Sequence, residues 1–287
     1  MGEHPVPDDH LLIDGVQVPR FLYGTAWKED ATQSLVERAI EHGFRGIDTA
    51  NQRRHYHEAA VGQAIAAVLK AGKVTREELF LQTKFTFQMG QDHRLPYDPH
   101  APVATQVEQS LASSKQHLGV DTIDSFVLHA PSQSHGLGAA DLEAWEAMEA
   151  ARDAGHVRLL GVSNVDEEQL QTFCQQARIR PRFVQNRCFA RTGWDRSVRQ
   201  FCTANEIVYQ GFSLLTANER SLLHPEVSQI AKRHGRTNEQ ILFRFALDLG
   251  MIPLTGTTND QHMQADLDIF DFHLLSEEVT RIARHAV

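Results

Sequence analysis

Phe44-Arg-Gly-Ile47, an amphipathic segment at 58–71, and Leu79-Phe-Leu-Gln-Thr83 read as a strand, a helix and a strand in succession. The middle segment places Val61, Ala64, Ile65 and Val68 on one face at helical spacing. Two strands joined through a helix run parallel, because the helix is the crossover between them. The same unit recurs on both sides. Upstream, 20–24 reads as a strand and 30–42 as a helix with Leu35, Val36, Ala39 and Ile40 on its apolar face. Downstream, helices at 102–118, 141–154, 166–177 and 195–205 alternate with strands at 122–128, 157–162, 183–185 and 207–211. Helices at 225–234 and 237–249 precede a last strand at 251–254, and helices at 259–267 and 276–285 close the chain. Thr237 and Gln240 have the spacing of a capping box.

Eight βα units in ~260 residues predict a closed (β/α)8 TIM barrel, not an open sheet. Before the first unit, Leu11-Leu-Ile-Asp-Gly-Val-Gln-Val18 holds two apolar runs around Asp14-Gly15. That dipeptide tolerates positive φ at both positions and suits a two-residue hairpin turn. An N-terminal β-hairpin is therefore expected to close the bottom of the barrel. No Pro- or Gly-rich linker divides the chain, so residues 1–287 are expected to form a single barrel domain.

The 287 residues are 41% hydrophobic and 23% charged, as in ordinary globular proteins, which excludes whole-chain disorder, collagen and coiled coil. Lys and Arg total 28 against 37 Asp and Glu, a net charge of −9 with no basic stripe, and no nucleic-acid partner is expected. Cys174, Cys188 and Cys202 include no C-x-x-C pair and suit a reducing compartment. Met1-Gly-Glu-His-Pro lacks the cationic and apolar regions of a secretory leader, and there is no run of ~18 apolar residues for a membrane span. The expectation is a cytoplasmic monomer with no membrane partner and no metal.

In such barrels the reactive residues collect at the C-terminal ends of strands and in the loops that follow. Here those places hold Asp48, Lys84, His129, Ser163 with Asn164, Gln185 with Asn186, and Phe212 with Ser213. A lysine this deep needs a carboxylate, which Asp48 can supply. Tyr56 lies in the loop after Asp48, and a neighbouring cation lowers the pKa of a phenol. The set predicts polarisation of a carbonyl, with Tyr56 as acid, Lys84 as its tuner and His129 orienting the substrate oxygen. Ser163 and Asn164 also read as a cap of the helix that follows.

Gly43-Phe-Arg-Gly-Ile-Asp-Thr-Ala50 and Glu58-Ala-Ala-Val-Gly-Gln-Ala-Ile65 resemble the first signature of the aldo-keto reductases. Leu81-Gln-Thr-Lys84, Thr122-Ile-Asp-Ser-Phe-Val-Leu-His-Ala-Pro131, Gly161-Val-Ser-Asn164 and Val184-Gln185 are similar to later motifs of that family, in the same order. The resemblance implies reduction of an aldehyde or ketone by NADPH, with a catalytic tetrad of Asp48, Tyr56, Lys84 and His129. It implies that Ser163, Asn164 and Gln185 hold the nicotinamide carboxamide. Phe212 falls where the family has a ring-stacking tyrosine, and Ser213 and Leu214 begin the pyrophosphate loop.

Three departures from the family pattern bear on function. Tyr56 stands eight residues after Asp48 and two before Glu58, where the pattern has five and three, so His55 is the alternative acid. Residues 252–262 contain no Lys or Arg for a 2′-phosphate, leaving Gly256, Thr257 and Thr258 as N–H donors at a helix start and His262 as a partial charge. NADH is therefore possible. Finally, the loop after the seventh barrel strand is short and the chain ends soon after Phe272, whereas the loop from Phe85 to His100 is long and offers aromatics and Met89 as a pocket wall. An open pocket for small or aromatic carbonyls is expected.

Other patterns weigh less. Gly136-Leu-Gly138 lacks the third glycine of a dinucleotide fingerprint, and His55-x-His57 lacks the acidic residues that complete a metal site. Lys84 as a Schiff-base nucleophile is opposed by its carboxylate neighbour. The rival to an enzyme is a regulatory subunit of the same fold that binds the cofactor with little turnover, a reading sustained by the irregular tyrosine segment.

Overall fold

The computed structural model describes residues 9–284. Met1-Gly-Glu-His-Pro, read above as lacking a leader, lies outside the described residues. β1 (His10–Ile13) and β2 (Val16–Pro19) pair antiparallel. Asp14 and Gly15 turn between them at φ of 48° and 80°, the conformation for which that dipeptide is selected.

Eight parallel strands follow: β3 (Leu22–Gly24), β4 (Gly46–Asp48), β5 (Phe80–Phe85), β6 (Ile123–Leu128), β7 (Val157–Ser163), β8 (Phe183–Arg187), β9 (Val208–Phe212) and β10 (Ile252–Thr255). They pair in chain order and close where β10 meets β3, giving the predicted barrel. The helices are α1 (Thr32–His42), α2 (Glu58–Lys70), α3 (Val103–Leu118), α4 (Ala139–Asp153), α5 (Glu167–Gln176), α6 (Arg196–Ala204), α7 (Glu219–Leu222), α8 (Pro225–His234), α9 (Asn238–Asp248), α10 (Asp260–Leu267) and α11 (Ser276–Ala283). Among the described residues, no helix is long and apolar enough to cross a membrane.

Side chains alternate along each strand and thus divide into two cores. Inward-facing Leu22, Phe80, Leu159, Phe183 and Ile252 fill the lower barrel together with Ile13, Val16 and Val18 of the hairpin. The hairpin is therefore the floor of the barrel, as expected. Outward-facing residues such as Ile47, Leu81, Phe126 and Val184 pack under the helices. Above the apolar floor the inward positions become polar, beginning with Gln82, Ser125 and Gln210, all fully buried. This change of character along the strands sets the base of the site.

Two local details differ from the sequence pattern. β5 runs to Phe85 and so takes Lys84 into the strand itself, with its side chain inside the barrel. α5 is capped by Asp166, whose carboxylate accepts from Gln169 N at 2.8 Å, so Ser163 and Asn164 are not used in capping it. The Thr237–Gln240 capping box forms as its spacing predicts.

Candidate active site

A cavity of about 860 Å³ opens at the C-terminal ends of the strands. Asp48 and Lys84 form its electrostatic centre. Lys84 Nζ donates to both Asp48 carboxylate oxygens at 2.7 Å and to the Thr49 carbonyl at 2.8 Å. Asp48 Oδ1 also accepts from Gln82 Nε2 at 2.7 Å and Gln185 Nε2 at 3.0 Å. Gln210 Oε1 accepts from the same two amides, and Ser125 Oγ donates to Gln82 Oε1 at 2.8 Å. The buried ion pair thus stands on a closed hydrogen-bond network that satisfies its remaining acceptor sites, as a charge inside a barrel requires.

Tyr56 and His129 complete the group. Lys84 Nζ is 5.3 Å from the Tyr56 ring centroid, and the Tyr56 and His129 rings meet edge to face with centroids 5.9 Å apart. The longer loop after β4 therefore brings the tyrosine to the lysine and histidine in spite of its shifted spacing. The expected lowering of the phenol pKa does not follow. Burial, and then the Asp48 carboxylate, push the Tyr56 phenol well above its ordinary value. The physical reason is first that burial strips water from the phenolate, and second that the Asp48 carboxylate, which also pairs with Lys84, opposes a further negative charge beside it.

His129 is held at three points. Its backbone N–H donates to Phe85 O at 2.9 Å, its carbonyl accepts from Asn164 Nδ2 at 2.8 Å, and its Nδ1 lies 2.7 Å from Thr86 Oγ1. Burial, followed by Lys84 and His55, holds the imidazole well below its ordinary pKa, so it is neutral near pH 7. His55, the alternative acid, also lines the cavity, but its ring packs at a tilt against Trp27, with centroids 4.0 Å apart. Burial and then Arg54 lower its pKa as well.

On the opposite wall, Ser163 Oγ donates to Gln185 O at 2.5 Å, and Asn164 Nδ2 donates to Ser163 Oγ at 3.1 Å. The side-chain nitrogens of Asn164 and Gln185 are thus engaged within the protein, leaving their carbonyl oxygens as acceptors. Asn186 instead ties the β7 and β8 loops together through Val165 N, Val165 O and Asp195. Phe212 and Ser213 line the cavity as expected, while the Leu214 side chain is buried and leaves its backbone at the rim. Three non-glycine lining residues, Trp27, Asn164 and Ser213, adopt φ of 62°, 55° and 56°. Such left-handed residues are uncommon and gather where surrounding structure fixes a site.

Gly256, Thr257 and His262 line the far end of the cavity, but Thr258 is exposed and outside the lining. Residues 256–259 are a connector, not a first helical turn. α10 begins at Asp260, and Asn259 Oδ1 already accepts from Gln261 N and His262 N. The cations that residues 252–262 lack come from the other end of the chain. Lys28 Nζ donates to Gly256 O, and Arg38 pairs with Asp260 at 2.6 Å and reaches Thr258 O at 3.4 Å. The same end also carries Asp266, whose carboxyl burial pushes up to about 7, and Glu239. On the near side Phe87 and Met89 line the cavity, whereas Phe85, the last residue of β5, and Tyr97 of the loop are buried.

The sequence profile of the Aldo/keto reductase family matches residues 22–287. This chain belongs to the aldo/keto reductase family. As a member it is an oxidoreductase. It is 33% identical over 291 residues to the aldo-keto reductase AKR2E4 of Bombyx mori, with 94% of this chain and 90% of that protein covered. It is 32% identical over 272 residues to an aldo-keto reductase of Mycobacterium avium (strain 104), covering 94% and 87% of the two chains. The crystal structure of Bombyx mori AKR2E4 in complex with NADP superposes with a TM-score of 0.82 at 28% identity, over 96% of this chain and 92% of that one. The aldose reductase of Schistosoma japonicum shares the fold, with a TM-score of 0.83 at 21% identity over 98% and 92% of the chains.

Several lining residues of this aldo/keto reductase have no counterpart in the sequence reading. Trp27 and Lys28 follow β3, so the rule that reactive residues follow barrel strands covers them once the first strand is included. Thr86 is the first residue after β5 and carries the same signal. Asp266 and Glu239 lie on helices and give no strand-end signal. Only barrel closure, which sets β10 beside β3, brings the loop that leads into α10 against Lys28.

Proposed function

We propose that this protein reduces the carbonyl group of an aldehyde or ketone to an alcohol, with NADPH as the hydride source and NADH as a possible substitute. The observation that carries this reading is the meeting of Tyr56, His129 and the Asp48–Lys84 pair at one end of a cavity whose volume, about 860 Å³, suits a dinucleotide with a small substrate. The lining fits that cofactor. Phe212 offers a ring face for stacking, and Asn164 and Gln185 offer acceptors to a carboxamide N–H2. Ser163 braces the loop that carries Asn164. The backbone of Ser213 and Leu214 offers donors to a pyrophosphate, and Lys28 with Gly256, Thr257 and His262 surrounds the adenosine end. Bound there, the reduced nicotinamide supplies the hydride.

The protein's own residues govern the oxygen. Tyr56 holds its proton throughout the neutral range and gives it up as negative charge develops on the substrate oxygen. Lys84 Nζ, held by Asp48 and 5.3 Å from the Tyr56 ring centroid, does not lower the resting pKa of the phenol, but it interacts favourably with the phenolate charge that develops only as the proton leaves. Thr86 Oγ–H donating to His129 Nδ1 would leave Nε2–H free to donate to the same oxygen, which orients the carbonyl and disfavours rotation away from Tyr56. Trp27, Phe87 and Met89 give the substrate an apolar wall. The reading extends to a single-domain cytoplasmic monomer, a setting compatible with three free, buried cysteines.

Tyr56→Phe tests the assignment. It should lower kcat by about 10²–10⁴-fold and leave the Kd for NADPH within about twofold. A variant that turns over at the parental rate would remove Tyr56 from the chemistry, and loss of turnover in His55→Ala with Tyr56 intact would move the acid to His55.

A further inference from the structure

Among the described residues, the lysine and arginine side chains that line the cavity are Lys28 and Arg187. Lys28 is engaged by the Gly256 carbonyl. Arg187 is different: among the described residues no carboxylate, carbonyl or hydroxyl accepts from its guanidinium. Its contacts are ring faces, Phe212 at 5.5 Å and Phe189 at 6.0 Å from the guanidinium carbon.

Its direction follows from strand alternation. On β8, Phe183 packs in the barrel floor and Gln185 reaches Asp48 inside the barrel. Arg187, two residues on, points the same way one layer higher and pairs in register with Phe212. In a closed ring of eight strands, β8 lies four places from β4 and so stands opposite the loop that carries Tyr56. Arg187 is thus a cation across the mouth from the proposed acid, beside the ring face proposed for nicotinamide. Its planar fork of N–H groups suits two oxygens of one carboxylate or phosphate, and the flanking rings limit the orientations it must give up on binding.

We propose that Arg187 is the oxyanion anchor of this cavity. It pairs with a carboxylate borne by the carbonyl substrate or with a phosphate of the bound dinucleotide, two sources of one chemistry. The substrate half rests on the reductase reading above, and it narrows the substrate class to carbonyl compounds with an apolar body and an acidic tail.

The test uses Arg187→Gln and Arg187→Lys in the full-length protein. Arg187 is exposed and without a polar partner among the described residues, so both variants should keep the parental thermal midpoint. One arm measures the Kd for NADPH by quenching of tryptophan fluorescence. The other measures by calorimetry the Kd of benzoate, with benzyl alcohol as the neutral control, on protein saturated with NADP⁺. Arg187→Gln should raise one of the two Kd values about tenfold or more, with benzyl alcohol unaffected and Arg187→Lys intermediate. A change in the benzoate arm assigns the residue to a substrate carboxylate, and a change in the NADPH arm assigns it to a phosphate. Both Kd values within twofold of the parent, or no measurable binding of either ligand by the parent, would overturn the proposal. Failure of the reductase reading is seen separately, as Arg187-dependent binding in a protein that oxidises no NADPH with any aldehyde.

Discussion

Lys84 Nζ meets both carboxylate oxygens of Asp48 at 2.7 Å, with the lysine fully buried and the aspartate only 3% exposed. Removing one member leaves an unmatched charge inside the barrel, which typically costs ~3–5 kcal/mol. Lys84→Met should therefore lower the urea midpoint sharply. The double variant Asp48→Asn, Lys84→Met should recover part of that loss, because no charge then remains to be desolvated. A double variant as unstable as the sum of the single ones would show that the pair is not coupled.

His129 gives the pH dependence. Its folded pKa is depressed by burial, Lys84 and His55. Its stabilising contribution is therefore complete above the unfolded histidine pKa of about 6.5 and declines as the pH falls from there toward the folded value. The His129 ring proton resonances should stay at their neutral positions from pH 8 down to pH 6. A midpoint near 6.5 would mean that the ring is neither buried nor opposed by Lys84.

Asp266 has the opposite sign. Its carboxyl is pushed from 3.8 to about 7 by burial. Its contribution is favourable below the unfolded pKa near 3.9 and is lost as the pH rises toward 7. Asp266→Asn should stabilise the protein by on the order of a few kcal/mol at pH 8 and have little effect at pH 4. Equal urea midpoints for parent and variant at pH 8 would contradict the burial of this carboxyl.

Much of this architecture is legible in sequence because barrels repeat. Each strand of the repeat is short and followed by a helix whose apolar face has its own period, and the Asp14-Gly15 turn announces the hairpin. Asp48, Lys84 and His129 stand at successive strand ends, so topology alone brings them together. What is not legible depends on contacts that close the ring. Lys28 and Gly256 are 228 positions apart and touch only because β10 pairs with β3. The raised phenol of Tyr56 depends on how deeply the folded loop buries the ring and on the Asp48 carboxylate beside it, which no spacing reveals. The buried amides of Gln82 and Gln210 read as ordinary strand residues until the barrel places them under the ion pair.

Gly62 marks a packing constraint on the helical layer. A Cβ at this position on α2 would run into the His117 carbonyl and Leu118 Cα of α3, backbone atoms that cannot rotate aside. Gly62→Ala should destabilise the protein by ~1–3 kcal/mol even though alanine favours helix. A midpoint at or above the parental value would show that α2 and α3 separate easily.

The central claim is that the mouth of this barrel reduces carbonyl groups, and its most direct test is loss of reduced-nicotinamide absorbance with an activated aromatic aldehyde, NADPH and NADH in parallel. Aldehyde-dependent oxidation, faster with NADPH and abolished in Tyr56→Phe, is the predicted result. Tight binding of either cofactor without oxidation across a panel of aldehydes and ketones would contradict it and leave the protein a cofactor-binding subunit of the same fold.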